Sequence, residues 1–171
     1  LAALTPPDVE ITIRNEYVEE IDLEADVDLV GITGYTSQIT RGYQLAGEFR
    51  KRGVPVVMGG IHVSLNPDEA ERHADAIVIG EAEGIWEQVI ADGRSRRLKK
   101  RYKRQGYPDL QHLVIPRYDL VERTHYISPP SVKSNLIPIQ TARGCPYNCD
   151  FCSVVRFLGR EYRMKPIAHV L

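Results

Sequence analysis

Short apolar runs alternate with amphipathic stretches along the first ninety or so residues of the chain. The runs at 9–13, 29–33, 54–58 and 76–79 are rich in β-branched residues and bounded by Gly, Pro or Asp. Runs of that length and composition predict buried parallel strands. Between them, 38–52, 67–73 and 84–92 predict helices. In the first of these, Ile39, Tyr43, Ala46 and Phe49 fall on one stripe, with Arg41, Glu48, Arg50 and Lys51 outside it, and Gly53 follows as a stop. Repeated βα units predict an α/β fold with a doubly wound, parallel, Rossmann-like sheet. Ligands of such a sheet bind beyond the carboxyl ends of its strands.

Those ends are unusually polar and glycine-rich. The second run leads into Thr33-Gly34-Tyr35-Thr36-Ser37, the third into Gly59-Gly60-Ile61-His62, the fourth into Gly80-Glu81-Ala82-Glu83-Gly84. Glycines let a backbone approach a large ligand, and hydroxyls can bond its polar edge. No G-x-G-x-x-G follows a strand, so a nicotinamide dinucleotide site is not supported. Each side chain also has a plain reading. Ser37 fits a helix N-cap, and His62 fits a surface or capping role. His73 suits a helix end, and Glu81 and Glu83 suit a first helical turn.

The chain has three cysteines, Cys145, Cys149 and Cys152, in the spacing C-x3-C-x2-C. An odd number in so short a stretch is not a disulfide framework. Three thiolates on one loop can hold iron or zinc and leave a coordination position open. Residues 136–142 alternate as a short strand, and Gly144 and Pro146 mark a loop directly after it. A zinc site completed by His169 is the alternative, although zinc ligands usually come as two pairs of C-x2-4-C type.

This loop, with Phe151 just before the last cysteine, resembles the cluster loop of radical S-adenosylmethionine (radical SAM) enzymes. The resemblance implies that Cys145, Cys149 and Cys152 hold three irons of a 4Fe-4S cluster, with S-adenosylmethionine on the fourth and Phe151 near its adenine. The three polar loops upstream are similar to the cobalamin-binding domain that precedes the barrel in one radical SAM class. That likeness implies that Thr33 and Ser37 line the cleft for the cobalamin nucleotide tail. It implies that Gly59 and Gly60 let the tail lie against the sheet, and that His62 faces the corrin or a phosphate. A D-x-H-x-x-G loop, which carries a lower cobalt ligand in many such domains, is not found. The opening at Leu1 reads as the end of a helix, so a first strand and its loop are expected before it.

The organisation so implied is a cobalamin-binding domain over 1–92, a basic hairpin or linker over 93–134, and the first unit of a truncated (β/α) radical SAM barrel over 135–171. The implied activity is radical methyl transfer to an unactivated carbon of a small-molecule substrate, driven by cleavage of S-adenosylmethionine. Ring closure or rearrangement is the other outcome such enzymes show. An electron donor such as flavodoxin or ferredoxin would serve the cluster, and the chain as it stands is expected to be inactive. Two other classes stay open: a Rossmann-like binding module with a small zinc site, and a radical SAM enzyme that modifies RNA.

Composition narrows the field only slightly. A chain of 171 residues has room for one domain and part of another. Its 43% apolar and 26% charged content is ordinary for a globular protein. A net charge of −1 offers no global attraction to nucleic acid or anionic membrane. No apolar run approaches a membrane span and no signal peptide is visible. An oxygen-sensitive cluster would suit a reducing cytoplasm. The charge is concentrated in Arg94, Arg96, Arg97, Lys99, Lys100, Arg101, Lys103 and Arg104, with Tyr102 among them. Such a stretch can bind RNA or phosphate, but a solvated hairpin or linker is the expectation, so nucleic acid is not expected as a partner.

Overall fold

The computed structural model describes residues 1–121 and 139–170. Four strands form one parallel sheet in the order β1 (Val30–Thr33), β2 (Val56–Gly59), β3 (Ala76–Ile79) and β4 (Arg101–Lys103). Between them run helices α1 (Ile39–Lys51), α2 (Ile61–Leu65), α3 (Pro67–Ala70) and α4 (Trp86–Arg94). Alternation along β2 and β3 divides the core into two layers. Val56, Met58 and Ile77 face one way, against Ile39, Ala46 and Phe49 of α1, Val63 of α2 and Ala70 of α3. Val57, Ala76 and Val78 face the other way, against Trp86, Val89 and Ile90 of α4 and Tyr102 of β4. The expected doubly wound α/β sheet is therefore present, with both faces covered.

Two expected elements differ. Residues 9–13 form no strand. Among the described residues β1 pairs only with β2, so this run has no ladder to join. Val9 instead packs against the α4 layer, whose Trp86 holds the N-terminal segment by donating from Nε1 to Thr5 Oγ1 at 2.8 Å. The apolar alternation is satisfied by packing without pairing.

The basic stretch is not simply a solvated linker. Its centre is β4, paired with β3 in the register Val78↔Tyr102. Arg101 and Lys103 are exposed, while Tyr102 is 4% exposed. Its hydroxyl donates to Asp92 Oδ2 at 2.7 Å and accepts from the Lys99 amide at 2.9 Å. Burial, with the Asp92 carboxylate acting against the opposing Lys99 amide, pushes the phenol up to about 12. Three of the basic groups are engaged within the fold. Arg94 pairs with Asp8, Arg101 with Asp68 and Glu71, and Arg104 donates to the Glu83 carbonyl.

In the C-terminal described residues, β5 (Ala142–Arg143) pairs antiparallel with β6 (Arg163–Met164), and α5 (Ser153–Leu158) lies between them in sequence. The strand expected over 136–142 lies partly outside the described residues. Of those described, 139–141 are irregular and only Ala142 is in a strand, which continues to Arg143. The described residues of this region show a two-stranded ladder and no parallel barrel strand. No helix among the described residues is long and apolar enough to cross a membrane.

If β4 is a core strand, truncating its inward side chain must cost far more than truncating an outward one. Tyr102→Ala is expected to lower unfolding free energy by about 3–5 kcal/mol. Lys103→Ala should stay within about 0.5 kcal/mol of the parent. Urea denaturation of both variants checks this, and equal effects would return the segment to the status of a linker.

Candidate cofactor site at the strand ends

Because β1, β2 and β3 run parallel, their polar loops leave from one edge of the sheet. The register Thr33↔Gly59 sets the first loop beside the double glycine. Gly60 has φ +93°, and a Cβ there would collide with Thr33 Oγ1. Only glycine fits this cradle, in which Thr33 and Gly60 are immediate neighbours. Gly59 is less constrained, since a Cβ would meet Val78 at an ordinary 3.7 Å. The N-cap of α1 is Gln38, and no side chain bonds there as a cap. The hydroxyl of Ser37 is therefore not spent on capping, and the residue is exposed.

His62 turns inward. It is 5% exposed, with Nδ1 3.1 Å from Thr36 Oγ1. Its Nε2 is buried 3.4 Å from Glu69 Oε1 without a well-aligned hydrogen bond. Tyr43 lies edge-on to His62 and stacks on His73 at 3.9 Å, which gives His73 a ring partner beyond any helix-end role. Burial and the Glu69 carboxylate push the Tyr43 phenol up to about 12. What His62 offers the cleft directly is its bond to the exposed Thr36, a residue the sequence reading quoted but did not single out.

Ser64, which sequence reasoning missed, joins two of the loops. Its hydroxyl donates to the Gly60 carbonyl at 2.7 Å and accepts from the Gly80 amide at 2.9 Å. A small polar residue one turn beyond a double glycine is the signal that could have found it.

The loop after β3 ends in buried charge. Glu81 is 8% exposed and pairs with both Arg143 and Arg163. Glu83 pairs with Arg143 at 2.7 Å. Burial works to raise the Glu83 carboxyl, but the Arg143 hydrogen bond and charge outweigh it, and the pKa falls below the ordinary value. Burial likewise works against the Arg143 charge, and the two glutamates more than offset it. These acids are therefore not the surface residues of a first helical turn.

The cysteine loop is attached at this point. Arg143 precedes Gly144, whose φ is +85° and where a Cβ would collide with the Glu161 carbonyl. The Cys145 amide donates to the Gly159 carbonyl at 3.1 Å, and the Cys152 amide to the Cys149 carbonyl at 3.1 Å. Cys145 and Cys152 are half-buried, Cys149 is exposed, and all three are free thiols. Among the described residues no three metal-ligating side chains are gathered in a group that could hold an ion. The backbone turn is present, while the thiols do not converge. Phe151 is 93% exposed beside them. His169, the alternative zinc ligand, is on a 3-10 turn at Ile167–His169. Helix α5, which follows Cys152, packs on α2, which carries His62. The cysteine loop and the double-glycine cleft therefore belong to adjacent parts of one surface.

Residues 5–90 match the B12 binding domain family. The chain is 41% identical over 167 residues, 96% of its length, to a bacteriochlorophyllide d C-8(2)-methyltransferase of Chlorobaculum tepidum. It is 30% identical over 84% of its length to the C-12(1)-methyltransferase of the same organism. It is 26% identical over 96% of its length to a hopanoid C-2 methylase of Rhodopseudomonas palustris. It spans about a third of these relatives, covering 37%, 31% and 31% of their respective lengths. The match over residues 5–90, on a chain whose strands form one parallel sheet, makes this chain a member of the B12 binding domain family.

Proposed function

We propose that the chain forms the cobalamin-holding part and the cluster loop of a cobalamin-dependent radical SAM methyltransferase. The observation that carries the reading is the packing of α5, directly after the cysteine triplet, on α2, directly after the double glycine. Two cofactor loops on touching helices suit a reaction in which two cofactors address one substrate. The similarity to named methyltransferases over nearly the whole chain supports the same reaction class. Their substrates, a bacteriochlorophyllide or a hopanoid by name, suggest an apolar carbon skeleton as the acceptor class.

The residues fit the groups in kind. The Gly60 cradle, the exposed hydroxyls of Thr33, Thr36 and Ser37, and Gly59 would admit and bond the nucleotide tail of cobalamin. His62 would hold Thr36 in place from behind. The thiols of Cys145, Cys149 and Cys152 would ligate the 4Fe-4S cluster and leave its fourth iron for S-adenosylmethionine, with Phe151 offering a face to adenine. When bound, these groups would supply a carbon-centred radical and a transferable methyl group. The protein's share is placement and exclusion of water. A flavodoxin- or ferredoxin-like donor would supply the electrons.

Two measurements test this. After anaerobic reconstitution with iron and sulfide, the parent is expected to show a brown iron–sulfur chromophore. The combined variant Cys145→Ala, Cys149→Ala, Cys152→Ala should lack it; colourless parent protein holding one zinc would favour the binding-module reading. For the cleft, Ser37→Ala is expected to change stability by less than about 0.5 kcal/mol and Gly60→Ala to cost about 1–3 kcal/mol. Both should weaken cobalamin binding by about tenfold or more, roughly 1.4 kcal/mol in binding energy. Gly47→Ala on α1, where a Cβ meets nothing within 4 Å, should bind as the parent does. Unchanged affinity in both cleft variants, measured by equilibrium titration, would remove them from the site.

A further inference from the structure

We infer that Glu81, in the loop after β3, is a positioning residue that closes the base of the cysteine loop. Its functional meaning rests on the reading above; its structural basis does not. The cysteine loop springs from the β5–β6 ladder, in which Arg143 and Arg163 are paired directly opposite each other. Like charges in that position repel, and neither guanidinium can neutralise itself by losing a proton. Here both are largely buried, with side-chain exposures of 15% and 9%. Burying two such cations side by side is costly unless a carboxylate stands between them.

Glu81 supplies that carboxylate. One of its oxygens takes Arg143 and the other takes Arg163, and its side chain is 4% exposed. Glu83 adds a second acid on Arg143, so the four groups balance in charge. Arg163 also donates to the Leu158 carbonyl at 3.0 Å and to the Pro108 carbonyl at 3.3 Å, and lies over the Tyr107 ring at 4.3 Å. Tyr107 in turn fills the space beside Gly159, whose carbonyl receives the Cys145 amide. The network therefore reaches the first residue of the cysteine triplet.

The other end of the network reaches the double glycine. The Gly80 amide, one residue before Glu81, donates to Ser64, which donates to the Gly60 carbonyl. Glu81 thus stands where the sheet's ligand edge meets the loop of thiols. It touches neither cofactor site, and its role is to fix one against the other.

Hydrogen exchange on the whole chain, without added cofactor, tests this. Glu81→Gln keeps the shape and removes the charge. It is expected to speed exchange of the Cys145 and Lys165 amides, whose acceptors are Gly159 and Thr141, by on the order of tenfold or more. Amides of β2 should keep their protection. Arg163→Met, made from the other side, should open the same two amides. Unchanged exchange at Cys145 and Lys165 in both variants would overturn the inference, as would equal loss of protection throughout β2. After reconstitution, Glu81→Gln should also release iron to a chelator faster than the parent. If the parent takes up no iron, the proposed function fails while the exchange result still decides the role of Glu81.

Discussion

Parallel pairing in register is the constraint from which the site follows. Strands that all point one way deliver every following loop to the same edge. With Thr33 beside Gly59 and Gly60 turned to positive φ, the first two loops meet at a cradle that a side chain would close. The two core layers hold this edge in place. Met58 and Ile77 anchor one face and Val57 and Val78 the other, so a slip by one residue would exchange the two apolar sets and mispack both layers.

The second constraint is electrostatic. Two arginines opposite one another at the root of a thiol-bearing loop form an unfavourable arrangement by themselves. Burying them against Glu81 and Glu83 turns it into a join between the sheet and the loop. Such a join favours a defined geometry over raw stability, because buried ion pairs seldom exceed well-packed apolar contacts in net free energy. A defined geometry is what two cofactors facing one substrate would need.

Much of this was legible in the sequence because local pattern and tertiary role agree. The runs that became β2 and β3 are apolar on both faces, β1 turns Val30 and Ile32 inward, and α1 carries a clear stripe. The double glycine stood out because its backbone conformation demands glycine, and the cysteine triplet because of its spacing. Elsewhere the pattern misled for identifiable reasons. Residues 9–13 have the composition of a strand, but strand formation needs a neighbour and β1 offers none among the described residues. β4 was hidden because one buried tyrosine among eight cations carries its entire inward face. The short α2 was hidden by the double glycine that precedes it. Glu81 looked like a helix-start acid, since its partners lie some sixty and eighty residues further along, 62 and 82 positions away. No local rule links them.

The central claim is that the glycine cradle and the cysteine loop serve two cofactors on one surface. Electron paramagnetic resonance on anaerobically reconstituted protein, with the cluster reduced and the cobalamin held as cob(II)alamin, tests it most directly. The account predicts mutual broadening or splitting of the two signals, as neighbouring spins give. Spectra that are a plain sum of two isolated centres, with both cofactors bound, would contradict it.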